Sequence, residues 1–246
     1  MTAARPRVHA TSWRSEDAGA AYERGRPDYP ADAVAFIADL VGERVLDLAA
    51  GTGKLTRLLA PSVPRLLAAE PMEGMQRQLR AVLPDVPLLS ANAEALPFRD
   101  GVLDAITVAQ AFHWFRADEA LAELHRVLRS GGRLVLVWNK RDLTVPWVRR
   151  MTEILDRYER LAPREDMDAW RPAFDRTQLF SPLQQRGFRH EQVLDDLVDR
   201  VSSMSFVIVM PAEERARLLD EIDALVEERP IRLPYDAHVD WCERLP

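Results

Sequence analysis

The chain has 246 residues, 47% of them hydrophobic and 29% charged, which suits one large α/β domain or a domain with an insertion and excludes a disordered or fibrous chain. Thirty-nine acidic against 33 basic residues leave a net charge of −6, a sign that argues against a general nucleic-acid binder, whose surface would be basic. One cysteine, Cys242, leaves no internal disulfide to form and fits a reducing compartment.

Residues 1–14 read as a loose tail with no apolar run behind their basic residues, so no secretory signal is expected. No window approaches the roughly 18 apolar residues that a membrane span needs. The expectation is a cytoplasmic protein with no membrane and no nucleic-acid partner. The five histidines are scattered at His9, His113, His125, His190 and His238, so no metal site is expected. A short helix fits residues 15–25, with Ser15 as its cap. The prolines of RPDYP (26–30) break it. A helix over 31–41 follows, with Val34, Ile37, Ala38 and Val41 at helical spacing and Gly42 as its stop.

From there strands and helices alternate. Strands are expected at 44–49, 64–71, 86–93, 101–111 and 132–139, with helices after the first two and at 116–132, where Gly131 closes the helix. This alternation predicts a parallel sheet with right-handed crossovers. After Asn139 the pattern changes. Helices are expected at 145–161 and 177–187 with a loop holding Trp170 and Phe174 between them, a strand at 188–194, a helical stretch at 196–229 and a final edge strand at 232–245. The chain reads as one domain, its core at about 31–142, 177–195 and 231–245. Helical insertions at about 143–176 and 196–229 lie over the carboxyl edge of the sheet, where α/β folds bind ligands.

The stretch RVLDLAAGTGKL (44–55) asks what its turn holds. A phosphate loop would need glycine five residues before Gly53 and Ser or Thr after Lys54; Leu48 and Leu55 stand there. A dinucleotide fingerprint would need a third glycine, where Thr56 stands. A methyl donor of the adenosyl type needs close backbone approach at the turn, an acid ending the second strand and a polar residue after the third. Gly51 and Gly53, Glu70, and Asn92 with Glu94 meet these spacings together.

The segments VLDLAAGTG, AAEPMEGM, NAEALPF, LDAITVAQAFHWF and ELHRVLRSGGRLVLVWN resemble class I S-adenosylmethionine-dependent methyltransferases of the type 11 methyltransferase-domain group over roughly residues 20–140. AYERGRPDYP and the HWF triplet are similar to a subset that includes trans-aconitate methyltransferase-like proteins. The resemblance implies a Rossmann-like α/β fold, a seven-stranded, mostly parallel sheet with an antiparallel last strand and helices on both faces. It implies S-adenosylmethionine as cofactor. Asp47, Gly51 and Gly53 would shape the methionine side, Glu70 would bind ribose, Met72 would flank the adenine, Asn92 and Ala93 would meet the adenine edge, and Gln110 would lie by the donor. Tyr22 and Arg26 would close over the donor's carboxylate, arginine being suited to bidentate binding. Ala49 departs from the family, which has glycine there.

His113 is the candidate general base for a substrate hydroxyl, with ordering of the loop as the alternative role. Trp114 and Phe115 either wall the pocket or pack the core, and Asn139 either faces substrate or caps its strand. Trp147, Tyr158, Trp170 and Phe174 would form an aromatic lid or serve as core. The expected function is methyl transfer to a small-molecule acceptor, through oxygen. A nucleotide-dependent (NAD-type) oxidoreductase and a non-catalytic S-adenosylmethionine-binding protein are the alternatives.

Overall fold

The computed structural model describes residues 25–159, 170–226 and 228–246. Helix α1 (Ala31–Val41) stops at Gly42, whose φ of 75° favours glycine, and β1 (Arg44–Leu48) follows. The alternation continues through α2 (Lys54–Leu59), β2 (Arg65–Ala69), α3 (Glu73–Val82), β3 (Leu88–Leu89), β4 (Leu103–Ala109), α4 (Ala117–Val127) and β5 (Leu128–Arg141). Then come α5 (Pro146–Glu159), α6 (Arg171–Arg176), β6 (Gln184–Leu194), α7 (Leu197–Ser202), α8 (Ser205–Ile208), α9 (Ala212–Asp223) and β7 (Ile231–Glu243).

The seven strands form one sheet in the order β3-β2-β1-β4-β5-β7-β6. The first five run parallel; β7 pairs antiparallel with both β5 and β6. This is the expected Rossmann-like sheet with an antiparallel last strand. Val45–Leu48 and Ala105–Val108 are continuously buried, because helices cover both faces of the middle strands. On one face α1 and α2 bring Ile37, Val41, Leu55 and Leu59 against Val45, Ala105, Val135 and Val239. On the other, Leu121 and Leu124 of α4 pack on Leu46, Ile106, Leu134 and Leu136. A third cluster joins Met151 and Leu155 of α5, Leu197 and Val201 of α7, Leu218 and Ile222 of α9, and Leu233 and Tyr235 of β7.

Several local expectations are corrected. Residues 177–187 are not a helix: the Ser181 amide donates to the Glu243 carbonyl at 2.9 Å, and β6 begins at Gln184. Pro182 and the antiparallel partner strand override the local helical spacing. β7 is interior and β6 is the edge strand, its Gln184–Gly187 run exposed to solvent. The 116–132 helix stops at Val127. Gly131, at φ 68°, lies instead near the start of β5, where the ladder with β4 shifts register between Leu103 and Ala105. The third strand keeps only two residues, and Phe174 belongs to α6, not to a loop. The helix expected at 15–25 lies outside the described residues except for Gly25.

Phe112 follows β4 within a single 3-10 turn, fully buried. Its ring meets Phe115, Trp170 and Phe174 at centroid distances of 5.3, 5.5 and 5.4 Å. The post-β4 loop is thereby tied to α6. Phe112→Ala is expected to lower the unfolding free energy in urea by about 3–5 kcal/mol, the scale of deleting a fully buried aromatic ring.

Candidate active site

The site is built at the carboxyl ends of β1, β2, β4 and β5. Asp47, on β1, is buried beneath the turn: its two oxygens accept from the hydroxyls of Thr56 on α2 at 2.6 Å and Thr107 on β4 at 2.8 Å. Burial pushes this carboxyl up to about 6, against the pull of the two hydroxyls. Asp47 therefore braces two strands and a helix and does not line the cleft.

Above it the chain turns sharply. Ala49 takes a φ of 54°, left-handed and costly for a residue with a Cβ, at the position where the family has glycine. Gln110, at the end of neighbouring β4, takes a φ of 56°. Gly51 (φ 60°) and Gly53 (φ 88°) differ in what a Cβ would meet. At Gly53 it would meet Leu79 at 3.1 Å; at Gly51 it would meet nothing within 4 Å. Gly53 serves the packing of α3, whereas Gly51 opens onto the cleft.

Glu70 joins the pieces. One carboxylate oxygen accepts the Gly51 amide at 2.9 Å and the other the Met72 amide at 2.8 Å. The Gln76 side chain donates to the Glu70 carbonyl at 2.6 Å. Burial, the largest influence, pushes the Glu70 carboxyl up to about 7; the two amides pull the other way.

One cleft brings together Arg26, Ala49, Gly51, Gln110 and Asn139 of the candidate residues, and adds Tyr29, Thr52, Lys54 and Arg200. A wider cleft continues past Arg26 and Lys54 to Arg57 and His190. Asp47, Gly53, Glu70, Met72, Asn92 and Ala93 line neither. Met72 caps α3, Asn92 is exposed in a bridge with Ala95, and Ala93 is buried. Tyr22 lies outside the described residues. Arg200 carried no spacing signal, since α7 reaches the cleft only through the tertiary fold.

His113 is buried, its ring 4.7 Å from Trp114 and 5.8 Å from Trp138. Burial, then the charge of Arg26, pushes its imidazole down to about 4. That direction leaves the imidazole neutral at neutral pH and a weaker base than an ordinary histidine. Trp114 is exposed, while Phe115 packs on Phe112. Asn139 donates to the Asp28 carbonyl at 3.2 Å and meets His190 Nε2 at 3.0 Å. Trp170 and Phe174 are core, Trp170 stacked on Trp138 at 5.5 Å, and Trp147 and Tyr158 pack against the third cluster.

A family model described as a methyltransferase domain matches residues 46–136. An uncharacterized methyltransferase of Mycobacterium tuberculosis is 39% identical over 224 residues, covering 87% of this chain and 89% of the relative. A demethylmenaquinone methyltransferase of Thermus thermophilus is 43% identical over 102 residues, 39% of this chain and 46% of the relative. Among solved structures, one named for a type II methyltransferase of Anaeromyxobacter dehalogenans superposes with a TM-score of 0.70 at 25% identity, covering 90% of this chain and 99% of that one.

Both buried carboxyls carry raised pKa values, so the folded state holds their protons more tightly than the unfolded chain does. Stability is fully present at low pH within this window and falls as pH rises from the ordinary carboxylate range to about 7. Urea unfolding at successive pH values should show a decline across it of about 3 kcal/mol for each of the two carboxyls. In Glu70→Gln the slope should be shallower, leaving the part due to Asp47.

Proposed function

The chain belongs to the class I S-adenosylmethionine-dependent methyltransferases, and from that membership we propose that it methylates a small molecule on oxygen, with the donor lying across the Gly51 turn and Glu70. The observation that carries the placement is the pair of left-handed residues Ala49 and Gln110. They end adjacent parallel strands and flank a glycine whose missing side chain opens into the cleft. Strain of this kind persists where the surrounding structure holds it for a purpose. The dinucleotide alternative gives way to the family membership.

These residues fit the donor. Ala49, Gly51 and Gln110 present backbone to the methionine side, and Arg26 lines the same cleft for its carboxylate, joined by Tyr22 in this reading. Each Glu70 oxygen holds one amide proton and keeps a lone pair for a ribose hydroxyl. In this reading Met72, Asn92 and Ala93 are assigned to the adenine. Asp47 acts through the turn as a positioning residue, and Gly53 through the packing of α3. When bound, S-adenosylmethionine supplies a methyl group already made electrophilic by its positive sulfur. The chain's task is to hold an acceptor in line with it and exclude water.

The acceptor atom is argued from what the site offers. Burial pushes His113 down to about 4 and also lowers His190, which weakens each as a base. Arg26, Lys54 and Arg200 give the cleft cationic walls. An oxygen already ionised in water needs no base and suits such walls. The small-molecule assignment is also supported by the demethylmenaquinone methyltransferase similar to the core.

Incubation with methyl-labelled donor and a panel of small carboxylic acids, phenols and amines should put label on the acids as base-labile esters. Label on amines alone would contradict the oxygen assignment. By calorimetry, Glu70→Ala should weaken S-adenosylhomocysteine binding by about 1–3 kcal/mol. Gly51→Ala should cost about 1–2 kcal/mol of stability, from its left-handed φ alone since its Cβ meets no protein atom, yet reduce that binding about tenfold. Unchanged affinity in both variants would remove the donor from this turn.

A further inference from the structure

Two arginines, one buried and one half-buried, act on each other where β5 leaves the sheet. Arg200, on α7, is 5% exposed; its Nε donates to the Tyr235 hydroxyl at 2.9 Å, while its buried Nη1 has no hydrogen-bond partner among the described residues. Arg141 ends β5 directly opposite Tyr235 in the ladder, and its Nη1 is likewise buried without a partner. Burial, then the charge of Arg200, holds the Arg141 pKa below its ordinary value. Asp156 and Glu159 on α5 act on Arg141 only from beyond ion-pair distance. Arg200 also lines the cleft with Gly51, Gln110 and Asn139.

Burying a charge costs several kcal/mol unless it is matched, and arginine is rarely buried unpaired. The charge of one also acts unfavourably on the other. The N–H fork of a guanidinium matches the oxygens of a carboxylate or phosphate. Their surroundings are fixed: the His190 ring stacks on Tyr235 at 5.5 Å, and His190 Nε2 meets Asn139 at 3.0 Å. Both arginines lie outside residues 46–136, the span shared with the methyltransferase-domain model.

We propose that Arg141 and Arg200 form a receptor for an oxyanion of the methyl acceptor, a carboxylate or a phosphate, beside the donor turn. The inference rests on the donor placement given above. It makes the acceptor an anionic small molecule anchored by the second insertion, with Arg26 left for the donor.

Glutarate and phenyl phosphate, with their neutral analogues glutaramide and benzyl alcohol, are titrated into the full chain with and without S-adenosylhomocysteine. At least one anion should bind saturably and more tightly than its neutral analogue, and should raise the melting temperature. Which anion binds separates the carboxylate source from the phosphate source. Arg200→Gln and Arg141→Gln should each weaken that binding about tenfold, with S-adenosylhomocysteine affinity unchanged. Arg200→Lys, which keeps the charge and loses the fork, should recover part of it and stands in if a glutamine variant fails to fold. Anions that bind no better than the neutral analogues would overturn the receptor. So would glutamine variants that lose S-adenosylhomocysteine while keeping the anion, since the pair would then serve the donor's carboxylate. Wild-type protein that takes the anion but not S-adenosylhomocysteine would support the receptor and overturn the donor placement.

Discussion

The Glu70 carboxylate is held by two backbone amides from different loops, Gly51 after β1 and Met72 at the cap of α3. Those two bonds set where the first turn sits relative to the second, and hence the shape of the cleft between β1 and β4. The carboxylate is buried and its pKa lies well above the ordinary glutamate range, so the fold pays for keeping charge there. A neutral hydrogen-bonding side chain would serve the scaffold at lower cost. The expense makes sense for a group that receives further donors when the site is filled.

Asp47 carries out the complementary task one layer down. It joins β1, β4 and α2 through two hydroxyls and so fixes the floor on which Ala49 and Gly51 turn. The left-handed Ala49 and Gln110 are sustained by that rigid base. The Ala49 amide region is also tied across the sheet, where the Ala50 amide donates to the Ala69 carbonyl at 3.1 Å. A site made mostly of backbone in this way needs few distinctive side chains. That is why one scaffold can serve many acceptors while the loops and insertions around it change.

What was legible in the sequence follows from how local each signal is. The βα alternation, the glycine turn and the acid ending β2 are short-range patterns, and they located the sheet and the Glu70 corner. The departure at Ala49 was visible too, and its left-handed φ shows how the turn accommodates a methyl group without glycine. Local helical spacing over 177–187 does not report that its Gln184–Gly187 end pairs with β7, some fifty residues away in the chain. β7 looked like an edge for the same reason: alternation says that one face is buried, not how many neighbours a strand has. The approach of Arg141 and Arg200 is illegible in the sequence, since a register position on β5 and the helix α7 meet only in three dimensions. His113 is visible as a candidate, but the downward push on its imidazole comes from burial and from Arg26, which spacing does not report.

The central claim is that the Gly51 turn and the Glu70 corner receive the donor as one hydrogen-bonded unit. Amide hydrogen exchange, measured with and without S-adenosylhomocysteine, tests it most directly. The account predicts added protection concentrated at residues 49–53 and 70–73 and at the end of β4 around Gln110. Protection confined to other segments, with those amides exchanging at unchanged rates, would contradict it.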